Sequence, residues 1–100
     1  MSKSVILFGS FASGKAKPDS DIDVLIVASK KGDIPSLQEK LNQAEAEITT
    51  SFGNHLAPIV MEEAEFKKRF KKKEPFIRNI AKEGKVLSGK SINELVTVND

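Results

Sequence analysis

The sequence predicts a small mixed β-sheet covered by helices, an α/β (α+β) sandwich. Three observations predict it: two short continuous apolar runs, Ser4 to Phe8 and Val24 to Ala28; a switch to apolar residues three and four apart from Pro35; and a third continuous run at 55–61. Runs of the first kind read as buried strands, and the spaced pattern reads as a helix with one apolar stripe. Strands alternating with helices bury one or both sheet faces under helical layers. At 100 residues the chain is long enough for one core and too short for two domains. We expect residues 1–90 to form that domain and residues 91–100 to be a polar C-terminal tail, partly ordered at best, with a weak apolar pattern in Ile92, Leu95 and Val96.

The elements follow in order. Ser4 to Phe8 is β-branched and apolar and stops at Gly9; Val24 to Ala28 is similar, and the mixture Lys15 to Ser20, with Pro18 and Asp19, makes the segment before it a loop. A second loop is expected at 30–33. Leu37, Leu41, Ala44, Ile48 and Phe52 then form one stripe along an otherwise charged helix. Pro35 suits its first turn, Ser36 with Glu39 resembles a capping box, and Gly53 supplies a left-handed stop. The run at 55–61 is a third strand, and Pro58 within it argues for an edge position or a bulge. A second helix is expected over Glu62 to Lys73 with Phe66 and Phe70 on one face; Pro75 interrupts it and starts a third, which carries Phe76, Ile77, Ile80 and Ala81 and ends at Gly84. Phe66, Phe70 and Phe76 are expected in the core, and residues 85–89 as a last short strand.

Composition narrows the class. With 39% hydrophobic and 30% charged residues the chain is too apolar for disorder and too evenly charged for a membrane protein. It has no cysteine, which excludes disulfides and thiolate zinc sites. The first apolar run is too short for a signal peptide or a membrane span, so no membrane association is expected and a cytoplasmic location is the default. Net charge is only +2, yet basic residues dominate from Lys67 to Lys90 while acids cluster at Asp19 to Asp23 and along 38–65. Such asymmetry suggests a polyanionic partner. The densest basic segment, 67–73, most simply forms a solvated helix face; its functional alternatives are contact with RNA phosphates or with an acidic protein.

The chemistry concentrates in residues 7–27. Asp21 and Asp23 stand at the mouth of the second strand, where period-two alternation turns both carboxylates to one face and Ile22 to the other. Two acids roughly 7 Å apart, twice the strand rise, repel one another unless a cation or proton lies between them. Mg²⁺ (or Mn²⁺) is the hard-cation solution, since it is held by one or two carboxylates together with substrate phosphates. Gly9 ends the first strand without a side chain and lets backbone approach a ligand, and Ser10 offers a hydroxyl and an amide. A helical turn over Phe11 to Ser13 would aim further amides at the same place, and Lys15 and Lys17 could cap phosphates. The implied chemistry is phosphoryl or nucleotidyl transfer. His55, the only histidine, reads as an ordinary strand or loop residue.

The strand, Gly9-Ser10, ten intervening residues (Phe11 to Ser20), Asp21-Ile22-Asp23 and a second apolar strand together resemble the GS-x10-D-x-D signature of the DNA polymerase β nucleotidyltransferase superfamily. Within it, "LFGSFASG" and "SDIDVLIV" look like the minimal nucleotidyltransferases of bacteria and archaea. The resemblance implies a nucleotidyltransferase fold and a Mg²⁺-dependent enzyme that moves a nucleoside monophosphate from an NTP, ATP foremost, to a hydroxyl. It assigns Gly9 and Ser10 to the nucleotide and Asp21 and Asp23 to metal and catalysis; Ser20 and Lys15 are further nucleotide-binding candidates beside them. It also implies a setting, because many minimal nucleotidyltransferases are antitoxins that modify a HEPN-domain toxin on tyrosine; a homo-oligomer is the other assembly it leaves open.

Two departures from the pattern shape the expectation. The family's active members use a third acid on a neighbouring strand, which here is the run at 55–61; it holds none, and His55 or Ala57 stands where an acid is wanted. Glu62 and Glu63, just beyond, are the only nearby candidates to reach the metals. The family also has a helix before its first strand, and this chain starts almost directly with the strand, leaving one sheet face uncovered or shared with a partner. A catalytically degenerate nucleotide-binding or partner-binding module is therefore the alternative to an enzyme.

Overall fold

The computed structural model describes residues 2–96. Its elements are β1 (Ser2–Phe8), α1 (Gly9–Ser13), β2 (Ile22–Ala28), a 3-10 turn (Lys31–Asp33), α2 (Ile34–Phe52), β3 (Leu56–Glu62), α3 (Glu63–Lys71), α4 (Pro75–Glu83), β4 (Lys85–Gly89) and α5 (Ile92–Val96). The four strands form one mixed sheet in the order β3-β2-β1-β4, with β1 antiparallel to both β2 and β4 and β2 parallel to β3. A parallel pair requires a long crossover, and the 19-residue α2 provides it. Pro58 lies in β3, an edge strand, where a missing N–H is tolerated.

Alternation along the strands divides the core in two. Ile6, Leu25, Val27 and Met61 point to one face and meet Phe66, Ile77, Ile80 and Leu95 from α3, α4 and α5. Val24, Ile26, Ala28 and Leu56 point to the other and meet Leu37 of α2, with Leu41 and Ile48 packed beside them. Both faces of the sheet thus carry helices; on the α2 face, Val5 and Leu7 of β1 are only partly buried. The side chain of Phe52, the last residue of the expected stripe, lies outside the described residues.

Several local expectations are corrected. The predicted box at Ser36 and Glu39 does not form: the 3-10 turn runs straight into α2, which starts at Ile34 without a side-chain cap, so Ser36 already lies inside the helix. Gly53 does close it, at φ 76° with its N–H donating to the Thr49 carbonyl. A reciprocal box forms instead at α5, where Ser91 Oγ accepts the Glu94 N–H at 3.2 Å and Glu94 Oε1 accepts the Ser91 N–H at 3.2 Å. The Ser91 backbone N–H, and then its hydroxyl, hold the Glu94 carboxyl below its ordinary range. The segment expected as a polar tail therefore contains a helix, and Leu95 is 0% exposed; residues 97–100 of that tail lie outside the described residues. Ser4, buried in β1, donates to the Lys90 carbonyl at 2.6 Å and fastens the chain leading into α5. Phe76, expected in the core, is 40% exposed and rests edge-on against Phe8.

Candidate functional site

Phe8 and Asp23 are opposite one another across the antiparallel β1–β2 pair, at the end of the sheet where β1 leaves and β2 enters. Asp23 shares its face with Leu25, two residues on, and so lies on the side covered by α3, α4 and α5. The chain turns sharply after Phe8: Gly9 adopts φ 72°, α1 begins, and Gly14 ends it after one turn. A β-carbon added at Gly9 would collide with Asp23 Oδ2 and lie 3.1 Å from Asp23 Cγ. Glycine is required here on two counts, a left-handed backbone and direct contact with a carboxylate. The turn and the acid pair predicted as one site are thus brought together at Gly9 and Asp23.

The remaining predicted residues occupy the approach to Asp21. Ser10 sits in α1 with its carbonyl accepting the Lys15 N–H at 2.9 Å, which draws Lys15 back over the turn while its side chain stays exposed. Ser20 Oγ accepts the Lys17 N–H at 2.8 Å, so this hydroxyl shapes the loop. Asn54, which sequence reasoning passed over, holds the same loop from the far side: its Nδ2 donates to the Pro18 and Ser20 carbonyls, each at 2.9 Å. The His55 carbonyl accepts the Ile22 N–H at 2.9 Å, and that is the contact His55 makes with the site. An asparagine just after a helix-ending glycine is a signal for turn chemistry, though nothing local says which loop it reaches.

Electrostatics single out the acid pair. The Asp21 and Asp23 side chains make no hydrogen bond or ion pair among the described residues. Partial burial, and then the adjacent Asp21 charge, push the Asp23 carboxyl above the ordinary aspartate range. Two such groups with no internal counter-charge have the donor chemistry for a hard cation that brings its own phosphate ligands. No group of three or more His, Cys, Asp or Glu side chains suited to a metal occurs among the described residues.

The parallel register explains why no third acid joins the pair. Asp23 is opposite Ala57, and Ile59 and Met61, the following residues of that alternation, pack into the same core face. Ala57 therefore occupies the neighbouring position on the face of Asp23. Glu62 is opposite Ala28, five residues further along β3, roughly 17 Å from that level by strand rise. Its Oε2 accepts the Lys31 N–H at 3.0 Å, and Glu63 pairs with Lys90 Nζ at 3.5 Å. Glu62 and Glu63, the nearest candidates for a third acid, belong to the opposite end of the sheet.

The basic segment is partly neutralised. Arg69 pairs with Glu65 at 3.2 Å and lies 3.9 Å from Glu74, while Arg78 stacks its guanidinium 4.2 Å over the Phe70 ring. Lys68, Lys71, Lys72 and Lys73 remain exposed. No helix among the described residues is long and apolar enough to cross a membrane.

Comparison with known proteins identifies the domain family. A family model described as a nucleotidyltransferase domain matches residues 2–88. Among solved structures, a chain from the crystal structure of a toxin–antitoxin with AMP-PNP is similar in fold, with a TM-score of 0.59 and 15% sequence identity over 95% of this chain and 68% of that one. A search of curated proteins returns no match.

Proposed function

Because the chain belongs to the nucleotidyltransferase domain family, we propose that it binds a Mg²⁺-complexed NTP at the Gly9 turn and the Asp21–Asp23 pair and transfers the nucleoside monophosphate to a hydroxyl. The single observation that carries this reading is the contact of Gly9 with Asp23, which sets the turn directly against one carboxylate of a pair that has no ion-pair partner among the described residues. Asp21 and Asp23 would hold the ion, whose charge offsets that of the triphosphate and of the reaction's developing oxyanions. Gly9 admits the phosphates to the backbone, Ser10 supplies a hydroxyl, and Lys15 adds a mobile positive charge at the rim. The acceptor oxygen bonds to the α-phosphorus as the bridge to the β-phosphate breaks, and pyrophosphate leaves.

The acceptor we propose is a tyrosine hydroxyl of a HEPN-domain partner, with the chain acting as the antitoxin. The fold likeness to a toxin–antitoxin chain supports this setting. Ala57 beside Asp23 favours a second reading, in which the chain binds the nucleotide or covers its partner without transfer, because no carboxylate of β3 is there to take the acceptor proton. Incubating the protein, with and without the product of the neighbouring gene, with each α-labelled NTP and Mg²⁺ or Mn²⁺ decides between them. Label transfer that vanishes in Asp21→Asn/Asp23→Asn is the expected result. Tight binding without transfer to any acceptor establishes the module instead.

A further inference from the structure

Residues 63–85 include nine basic and four acidic side chains, in a chain whose net charge is only +2. Three of those acids are engaged: Glu65 and Glu74 share Arg69, and Glu63 meets Lys90. Lys67, Lys68, Lys71, Lys72 and Lys73 make no ion pair among the described residues, and neither do Arg78 and Lys82 on α4. At a spacing of four, Lys67 neighbours Lys71, Lys68 neighbours Lys72 and Arg78 neighbours Lys82, and each like-charged pair destabilises its helix. The helix dipole favours cations in a last turn, which accounts for Lys68, Lys71 and Lys82 but not for Lys67 or for Arg78 in the first half of α4. Where α3, α4 and α5 meet, a pocket of about 390 Å³ opens, lined among others by Phe70, Arg78, Asn79, Lys82 and Ile92. None of its described lining residues is acidic. The Arg78 guanidinium lies 4.2 Å over the Phe70 ring, and that ring packs against the core, so an aromatic face rather than an acid fixes this cation.

We propose that this surface binds single-stranded nucleic acid: Lys67, Lys71 and Lys82 hold phosphates of the strand, and one unpaired base enters the pocket and stacks on the guanidinium plane of Arg78. The inference goes beyond nucleotidyl transfer and uses neither Asp21 nor Asp23. Lys67 lies three residues before Phe70, hence beside it on the surface of α3, and Lys82 lines the pocket itself, so the charges flank the base site. Phosphates are drawn by clustered cations with no acid among them. An acidic protein would be drawn by the same charges. The pocket decides between them, because a carboxylate has no use for a flat cation fixed on an aromatic ring beside apolar Ile92, whereas unpaired bases stack on arginine planes. Asn79 supplies a donor and an acceptor to the edge of such a base. A duplex keeps its bases stacked inside and meets the lysines alone.

Fluorescence anisotropy of the full chain, in chelator and without NTP, tests this with labelled oligouridine and oligodeoxyuridine of about twelve nucleotides, an RNA duplex of that length and an oligoglutamate. Single strands are expected to bind and to lose about tenfold or more in affinity between about 50 and about 200 mM salt. The duplex should bind about tenfold more weakly, the scale of one lost base stack, and oligoglutamate more weakly still. Lys67→Gln/Lys71→Gln should weaken the single strands and lower the slope of log affinity against log salt by about 1.4, the value for two phosphate contacts on a single strand. Arg78→Lys keeps the charge and loses the plane; it should cost the single strands about tenfold and leave the duplex within about twofold. Calorimetric titration with Mg²⁺–ATP should give both variants the wild-type affinity within about twofold, which separates this site from the nucleotide site. A preference between the two single strands, in either direction, upholds the site and tells which sugar it takes. Failure of both to bind overturns the proposal, as does duplex binding equal to theirs or an Arg78→Lys variant that loses nothing. Oligoglutamate bound as tightly as the single strands also overturns it and makes the surface one for an acidic protein.

Discussion

The two ends of the β2–β3 pair both carry acids, and they treat them differently. At the far end four glutamates have counterparts: Glu62 accepts a backbone N–H, Glu63 meets Lys90, and Glu65 and Glu74 share Arg69. A cleft of about 450 Å³ opens there, lined by Lys31, Glu62, Lys68 and Arg69 among others, and its glutamates are engaged by groups of the same chain. At the near end Asp21 and Asp23 stand two residues apart, with the Gly9 backbone pressed against Asp23 and no basic side chain bonded to either among the described residues. The larger opening is therefore not the more reactive place. An acid whose charge is satisfied by its own chain contributes to the fold, whereas an acid pair left in mutual repulsion keeps its coordinating capacity for something that arrives from outside.

The contrast can be broken most severely at Gly9. Gly9→Ala puts a methyl group against the Asp23 carboxylate and forces φ 72° on a residue with a β-carbon. The strain should cost about 1–3 kcal/mol of stability, seen as a lower denaturation midpoint, and nucleotide affinity should fall far more than that of any far-end variant.

Asp23→Asn is expected to have a smaller effect on stability, and of the opposite sign. In the folded chain the Asp23 carboxyl sits above its ordinary range, so the native state resists its ionisation more than the unfolded state does. Stability tied to protonated Asp23 is present at low pH and is lost as pH rises through the folded-state value. The asparagine variant should thus melt above the wild type at neutral pH, with the gain shrinking as pH falls through the Asp23 titration. Melting curves taken across that range check the sign.

Glu62→Gln is expected to change least. The amide oxygen can still accept the Lys31 N–H, so stability should move by less than about 0.5 kcal/mol, and Mg²⁺–NTP affinity should stay within about twofold in the same titration. A large loss of affinity would erase the distinction between the ends.

What was legible in the sequence was local. Gly9, Ser10, Asp21 and Asp23 are recognisable because turn chemistry and period-two alternation act over a few residues, and the same holds for the apolar stripe of α2 and its stop at Gly53. What depended on register was not legible. The run at 55–61 reads as a strand in any alignment, but only its parallel pairing puts Ala57 beside Asp23 and sends Glu62 to the other end. Helix packing hid two more features. Ile92, Leu95 and Val96 had the spacing of a buried face, yet spacing alone could not tell that Leu95 would be covered. Phe76 had the spacing of a core residue, and the turn after β1 left it at the rim of a pocket instead.

The central claim is that the near-end carboxylates are the seat of a metal–triphosphate. Titrating ATP into the wild type and into Asp21→Asn/Asp23→Asn, each with Mg²⁺ and with chelator, tests it most directly. The account predicts binding only in the wild type and only with Mg²⁺, with the two proteins giving superimposable circular dichroism. Equal ATP affinity in the two proteins, or wild-type affinity that ignores the chelator, would contradict it.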